Sequence, residues 1–343
     1  MRRSARPLPL ALLLLGGLAA PAPAAPPARP ACTDPADADD DFPLQGEYAG
    51  EATIDGQSLR LGIQVVARGD GKFDVVAYPG GLPGAGWTPP QKMQGGGTRQ
   101  GTGKDAVVAV EGLTWAGQKR RGEIRGGAVV VVAEDGTAVA KFPRVERTSP
   151  TLGAKPPAGA VVICDGAGPV DETATIVRGR ITDDGLLTEG TTTKEAFGDA
   201  RWHVEFRLPY QPYDRGQGRG NSGGYFNGCY EVQMLDSFGL EGKSNECGGV
   251  YSAAAPQVNM CLPPLTWQTY DVDVTAPRFA AGKKVKNARI TVRHNGVLIH
   301  DDVELTRPTP GGPLSEERSA GPLYLQNHGN PVRFRNIWVV PQP

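Results

Sequence analysis

The sequence carries no excess of charge of either sign. Its 36 Lys and Arg are met by 37 Asp and Glu, a net charge of −1. The clustered positive field of a nucleic-acid-binding protein is therefore missing. Histidine is scarce, with 4 residues in 343, and the 5 cysteines include no CxxC pair, which argues against the common zinc and thioredoxin motifs. Long helical periodicities are nearly absent. Beyond the first 25 residues there is also no apolar run of the roughly 20 residues that a membrane span needs. The acidic stretch Asp34 to Asp41 lacks the Gly and the terminal Glu of an EF-hand loop and reads as a solvated linker.

What is present begins with an export signature. Arg2, Arg3 and Arg6 make a positive end, Leu8 to Leu18 a short apolar run, and Ala22-Pro23-Ala24 a small-residue cleavage site. Residues 1–25 are expected to be a signal peptide, leaving a mature chain that is periplasmic or extracellular and has no membrane span. Cys32 follows Arg29-Pro30-Ala31 and not a Leu-led lipobox, which disfavours a lipid anchor. Export favours disulfides. Cys247 and Cys261 flank one polar, Gly-containing segment and are the best candidates for a bridge, although spacing alone does not fix connectivity.

Short apolar or alternating runs, separated by Gly, Pro and Asp, dominate the remainder and indicate an all-β protein. After an acidic, Pro-rich linker over 26–43, a small β-barrel or sandwich is expected over 44–148. Its strands are Leu59–Val66, Phe73–Tyr78, Ala106–Val110, Gly122–Ile124, Val129–Ala133 and Val139–Phe142, with hairpin turns at Gly69-Asp70-Gly71 and Glu134-Asp135-Gly136. A Pro-rich linker follows over 149–159. The region 160–343 carries about ten further strands, as in a two-sheet jelly roll. Within Arg201–Leu208, Trp202, Val204, Phe206 and Leu208 alternate with His203, Glu205 and Arg207. Asn295-Gly296 marks a two-residue hairpin.

The stretch from Asn221 to Ser237 is the most informative. A Gly-rich turn runs into the strand Tyr230–Leu235, on which Glu231 and Gln233 share one face while Val232 and Met234 share the other. One face can join a core and the other line a cleft. Asp236 follows closely, so two carboxylates and an amide stand near one another, as in many carbohydrate-processing sites. His328 lies in a polar, Gly-flanked context beside Gln326 and suits proton abstraction. Lys194, Glu205, Arg207, Asn221 and Ser222 are further polar candidates for lining the cleft, although Glu205 and Arg207 could simply pair with each other.

The second region resembles the 3-keto-disaccharide hydrolase domain family. The resemblance is carried by Phe197-Gly198-Asp199, His203-Val204-Glu205-Phe206-Arg207, Asn221-Ser222-Gly223 and Tyr230-Glu231-Val232-Gln233 with Leu235-Asp236-Ser237. It continues through Cys247-Gly248-Gly249-Val250-Tyr251, Trp267-Gln268-Thr269-Tyr270-Asp271, Leu325-Gln326 with His328-Gly329, and Val332-Arg333-Phe334-Arg335-Asn336-Ile337-Trp338. It implies a concanavalin-like lectin and glucanase jelly roll that acts on glycosides already oxidised at C3 of the sugar. The C3 ketone acidifies the C2 proton, a base removes it, the C1 substituent leaves, and water is then added. On this reading Glu231, Asp236 and His328 are the catalytic candidates, and Gln233, Lys194, Glu205, Arg207, Asn221, Ser222 and Gln326 bind substrate. No spacing compels a cofactor, although Glu231, Asp236 and His328 would make a ligand set for a divalent ion. The other functional class is a non-catalytic carbohydrate-binding protein, because the same sandwich also builds lectins.

Overall fold

In the computed structural model, residues 29–343 are described, other than 55, 116–117, 134–135, 166–175 and 179–180. The expected signal peptide and the turn residues Glu134 and Asp135 lie outside the described residues. No described helix is long and apolar enough to cross a membrane.

The first region is a closed antiparallel barrel. Its strands are β1 (Gly46–Ile54), β2 (Gln57–Gly69), β3 (Lys72–Pro79), β4 (Met93–Gln100), β5 (Val107–Trp115), β6 (Gln118–Arg125), β7 (Ala128–Val132) and β8 (Ala138–Val145). Each pairs with the next, and β8 returns to β1 through Glu47↔Val145 and Tyr48↔Arg144. The interior is packed with side chains, among them Tyr48, Ile63, Val65, Phe73, Val75, Val108, Ile124 and Phe142, as expected for a small barrel. Two strands have no counterpart in the sequence reading, β1 and β4. The Gly95-Gly96-Gly97 run in β4 argues for a loop on propensity. Barrel closure overrides propensity here, because a Cβ on Gly97 would stand 2.6 Å from Val108 Cγ1.

The second region is a two-sheet sandwich. Its strands are β9 (Val161–Cys164), β10 (Ile176–Arg178), β11 (Leu187–Thr188), β12 (Thr192–Thr193), β13 (Ala200–Arg207), β14 (Ser222–Phe226), β15 (Tyr230–Met234) and β16 (Trp267–Thr275). They continue as β17 (Arg278–Ala280), β18 (Lys283–Lys286), β19 (Ala288–His294), β20 (Val297–Leu305), β21 (Tyr324–Leu325) and β22 (Arg333–Pro341). One sheet has the order β10-β12-β21-β14-β15, and the other has β11-β22-β13-β16-β19-β20 with β9 also on β22. The strands β17 and β18 form a separate hairpin. Phe226, Val232, Met234 and Leu325 from the first sheet meet Trp202, Val204, Phe206, Tyr270, Val272, Val292 and Phe334 from the second in one buried core. The alternation in β13 and β15 thus places the residues the sequence indicates on the inside. The Asn295-Gly296 hairpin forms as expected, closed by His294↔Val297.

Two segments read as linkers are bonded parts of the fold. Asp41 is 1% exposed; it accepts the Gly71 N–H at 2.8 Å and Arg99 Nε at 2.7 Å. Tyr210 of the second region donates to Asp39, and Cys32 bridges to Tyr210. Asp39 and Asp41 are therefore held by tyrosine, arginine and backbone donors, while Asp34, Asp37 and Asp40 are exposed as a solvated stretch would be. Likewise Ser149 and Thr151 bond Thr269 Oγ1 at 2.6 and 2.9 Å, and Gly153 N–H donates to Glu205. Residues Ala31–Pro343 form one compact unit.

Candidate active site on the five-stranded sheet

The β14–β15 hairpin builds the site. Phe226 pairs with Tyr230, so Tyr225 falls opposite Glu231 and Gly223 opposite Gln233. Tyr225 and Glu231 therefore share the sheet face turned away from the core. Tyr225 Oη stands 2.8 Å from Glu231 Oε2 and 2.7 Å from the Pro310 carbonyl. Gln326 Nε2 donates to the same hydroxyl at 3.2 Å. Glu231 N–H donates to Thr309 Oγ1, and Tyr251 N–H to the Glu231 carbonyl. The carboxylate crosses over Gly223, where a Cβ would meet Glu231 Oε1 at 2.1 Å. That close approach accounts for a glycine at this point of the strand.

Glu231 is 2% exposed. Burial raises its pKa to about 7, and the Tyr225 hydrogen bond opposes that rise in part. Tyr225 has one proton and two acceptors in reach. When Glu231 is ionised, Tyr225 donates to it. When Glu231 is protonated, the acid can donate to Tyr225 Oη while Tyr225 donates to the Pro310 carbonyl. Both charge states keep their hydrogen bonds, which suits a group that gives and takes a proton near neutrality.

A row of amides continues the face. Gln233 Nε2 donates to Gln217 Oε1 at 3.1 Å, and Asn221 Nδ2 donates to the Gln217 carbonyl at 2.7 Å. Ser222 Oγ donates to the Gln326 carbonyl. The structure thus gathers Glu231, Gln233, Asn221 and Gln326 around one hairpin, while Ser222 pairs with the core residue Met234 and falls on the other face of the strand. Tyr225, Gln217 and Thr309 complete the set and were not expected from sequence. Reading Asn227-Gly228 as a hairpin turn would have revealed Tyr225. Gln217 and Thr309 lie 16 and 78 residues from their partners, and no local pattern announces them.

The other candidates stand elsewhere. Asp236 lies beyond the end of β15, with Oδ2 2.6 Å from Arg219 Nε and Oδ1 accepting the Phe238 N–H. Both groups are buried, so this carboxylate is a charge partner for Arg219. His328 sits in an exposed bend after β21, and Lys194 in an exposed bend after β12. Among the described residues no three His, Cys, Asp or Glu side chains gather to hold a metal ion, so Glu231, Asp236 and His328 do not form the ligand set suggested by sequence. Glu205 and Arg207 belong to the seven-stranded sheet. Glu205 pairs with Arg335 at 2.8 Å and not with Arg207, whose guanidinium lies over Trp267. Cys247 and Cys261 are neighbouring buried thiols and not a disulfide.

The sequence profile of the 3-keto-alpha-glucoside-1,2-lyase-like domain matches residues 115–340, from the end of β5 to β22. No curated protein matches the chain. Among solved structures, a candidate glycosyl hydrolase from Parabacteroides distasonis is 31% identical, with 54% of this chain and 85% of that one covered and a TM-score of 0.49. A second candidate glycosyl hydrolase from the same organism is 18% identical, over 53% of this chain and 99% of that one, with a TM-score of 0.37.

Proposed function

Because the chain belongs to the family of 3-keto-alpha-glucoside-1,2-lyase-like domains and is glycosyl-hydrolase-like, we propose that it cleaves glycosides oxidised at C3, by elimination followed by hydration, with Glu231 as the acid–base group. One observation carries this reading. On the outer face of the β14–β15 hairpin the buried carboxylate of Glu231, at a pKa of about 7, has Tyr225 as its partner, while the second carboxylate of the strand motif is tied to Arg219. Ordinary double displacement requires two carboxyls flanking C1. Elimination requires one proton taken at C2 and one delivered to the glycosidic oxygen, and a group poised near neutrality serves both directions.

The electrons of the C2–H bond pass into the C3 enolate as the proton moves to Glu231. The enolate then re-forms the C3 ketone and a C1=C2 double bond, and the C1–O bond breaks. The departing oxygen takes a proton, and water adds across C1=C2 to give the free 3-keto-sugar. Glu231 is 2% exposed and its partner Tyr225 is bonded to the Pro310 carbonyl, so the pair stands largely apart from bulk water. Export to the periplasm or beyond fits the leader-like first 25 residues and forms part of the same proposal.

The test is a panel of 3-keto-glycosides beside their unoxidised parents, run in deuterated water. Release of 3-keto-sugar with deuterium at C2 supports elimination. Release with the C2 hydrogen retained rejects it in favour of direct attack at C1. Sugar binding without turnover on any member of the panel would favour a lectin.

A further inference from the structure

A cleft of about 460 Å³, lined in part by Tyr251, Ser252, Arg307, Thr309, Pro310 and Gly311, borders the segments bonded to Glu231 and Tyr225, although neither of those two residues lines it. It shares a wall with the Glu231–Tyr225 pair. Thr309 Oγ1 accepts the Glu231 N–H, the Pro310 carbonyl accepts from Tyr225, and Tyr251 N–H donates to the Glu231 carbonyl. A sugar whose C2 meets Glu231 therefore has this cleft next to it, and the cleft lies within the size range of ligand sites.

Arg307 is the only charged side chain among the lining residues. It is exposed, and no hydrogen bond or ion pair joins it to another described residue. The nearby cation Lys284 is already neutralised by Glu317. We propose that the cleft receives the leaving group, and that Arg307 selects leaving groups that carry a carboxylate. This rests on the elimination reading for its placement beside the reacting sugar, but the recognition itself can be measured without turnover.

The exposure of Arg307 decides between two roles. A donor that holds the enolate must be buried and preorganised to stabilise the transition state strongly. A solvated guanidinium at a rim instead offers a bidentate, salt-sensitive contact to a carboxylate. Arg307 is accordingly a specificity residue and not a catalytic one.

The experiment has two arms. In the first, calorimetry on the Glu231→Gln protein compares glucuronic acid with glucose. The acid is expected to bind about tenfold more tightly, a preference that falls with added salt and disappears in Glu231→Gln with Arg307→Gln. Equal binding of the two sugars, or binding of neither, overturns the assignment of Arg307 whatever the turnover results. In the second, matched 3-keto-glycosides with neutral and carboxylated leaving groups are compared on wild type and Arg307→Gln. The expected change is a KM about tenfold higher for the carboxylated substrate alone, with kcat retained. A fall in kcat for both substrates would assign Arg307 to the enolate and overturn the proposal. Failure of the elimination reading shows separately, as no turnover of either substrate while the sugar-acid preference persists. Phosphorylated and sulfated sugars in the first arm determine whether the site reads carboxylate or any anion, and a preference for those over carboxylate also counts against it.

Discussion

Glu231 on β15 and Glu205 on β13 alternate with core residues, and both are almost wholly buried, at 2% and 0% exposure. Burial lifts Glu231 to about 7. The same penalty acts on Glu205, yet its pKa falls to about 2, because His203, Asn336, Arg335 and the Gly153 N–H all bond its carboxylate. His203 in turn is shared with Asp271, at 2.6 Å. Its own pKa is raised: burial opposes the charge, but the bonds to Asp271 and Glu205 outweigh it. One sheet face thus surrounds its glutamate with compensating charge and fixes the 149–154 segment to it. The other gives its glutamate one hydroxyl and leaves it close to titration. What separates an anchoring carboxylate from one that titrates near neutrality here is the number of donors and not depth.

The largest effect expected from breaking this comparison is at Glu231. Glu231→Gln keeps size and hydrogen bonding but not the proton chemistry. Turnover should fall by about 10²–10⁴-fold with little change in ligand affinity, measured as kcat against KM on a 3-keto-glycoside. Full activity would remove Glu231 from the mechanism. The same variant should gain stability. A carboxyl whose folded pKa is raised from 4.5 to about 7 contributes fully below pH 4.5, and that contribution is lost as the pH rises through 7. At about 1.4 kcal/mol per pH unit, Glu231→Gln should be more stable than wild type by up to about 3 kcal/mol at pH 8, with the gap closing towards pH 4.5 in denaturant titrations.

Glu205 sharpens the contrast with the opposite sign. Its depressed pKa means that its stabilisation is present above pH 4.5 and is lost as the pH falls through 2. Glu205→Gln should therefore destabilise the protein by about 2–3 kcal/mol at pH 7 and leave turnover within about twofold at temperatures well below Tm. A large loss of kcat in a folded Glu205→Gln protein would contradict the separation of the two faces.

The sequence made the alternating strands legible because side-chain period and turn residues are local properties. Val232, Met234, Trp202 and Phe206 could be assigned to the core, and Glu231 and Gln233 to the opposite face, without knowing their neighbours. The β4 strand was illegible because Gly97 answers a close approach to Val108 of β5, a contact that no local pattern announces. Glu205 read as a cleft residue because the segment covering it, Ser149 to Ala154, looked like a spacer. Its hydrogen bonds span 52 residues to Gly153 and 130 to Arg335. Asp236 looked like a second acid because Arg219, 17 residues earlier, carries no pattern that marks it as a partner. What could not be read was pairing across the chain, and pairing determines which carboxylates remain available.

The smallest effect is the finest test of the difference between the two glutamates, because it removes the one side-chain donor that Glu231 has among the described residues. Tyr225→Phe deletes the hydroxyl that stands 2.8 Å from Glu231 Oε2 and lowers its pKa. Without it, burial acts unopposed, and the pKa should rise from about 7 by roughly one unit, the amount that corresponds to about 1.4 kcal/mol. If Glu231 takes the C2 proton as the carboxylate, the acidic limb of the pH profile of kcat/KM should move upward by that amount. Activity well above pH 8 should then approach the wild-type value. A loss that is equal at every pH would instead make the Tyr225 hydroxyl itself a carrier of the proton. No movement of the limb would mean that the group observed in the profile is not Glu231. Carrying Glu205→Gln in the same background should leave the limb where Tyr225→Phe puts it, since the charges around Glu205 belong to the other sheet.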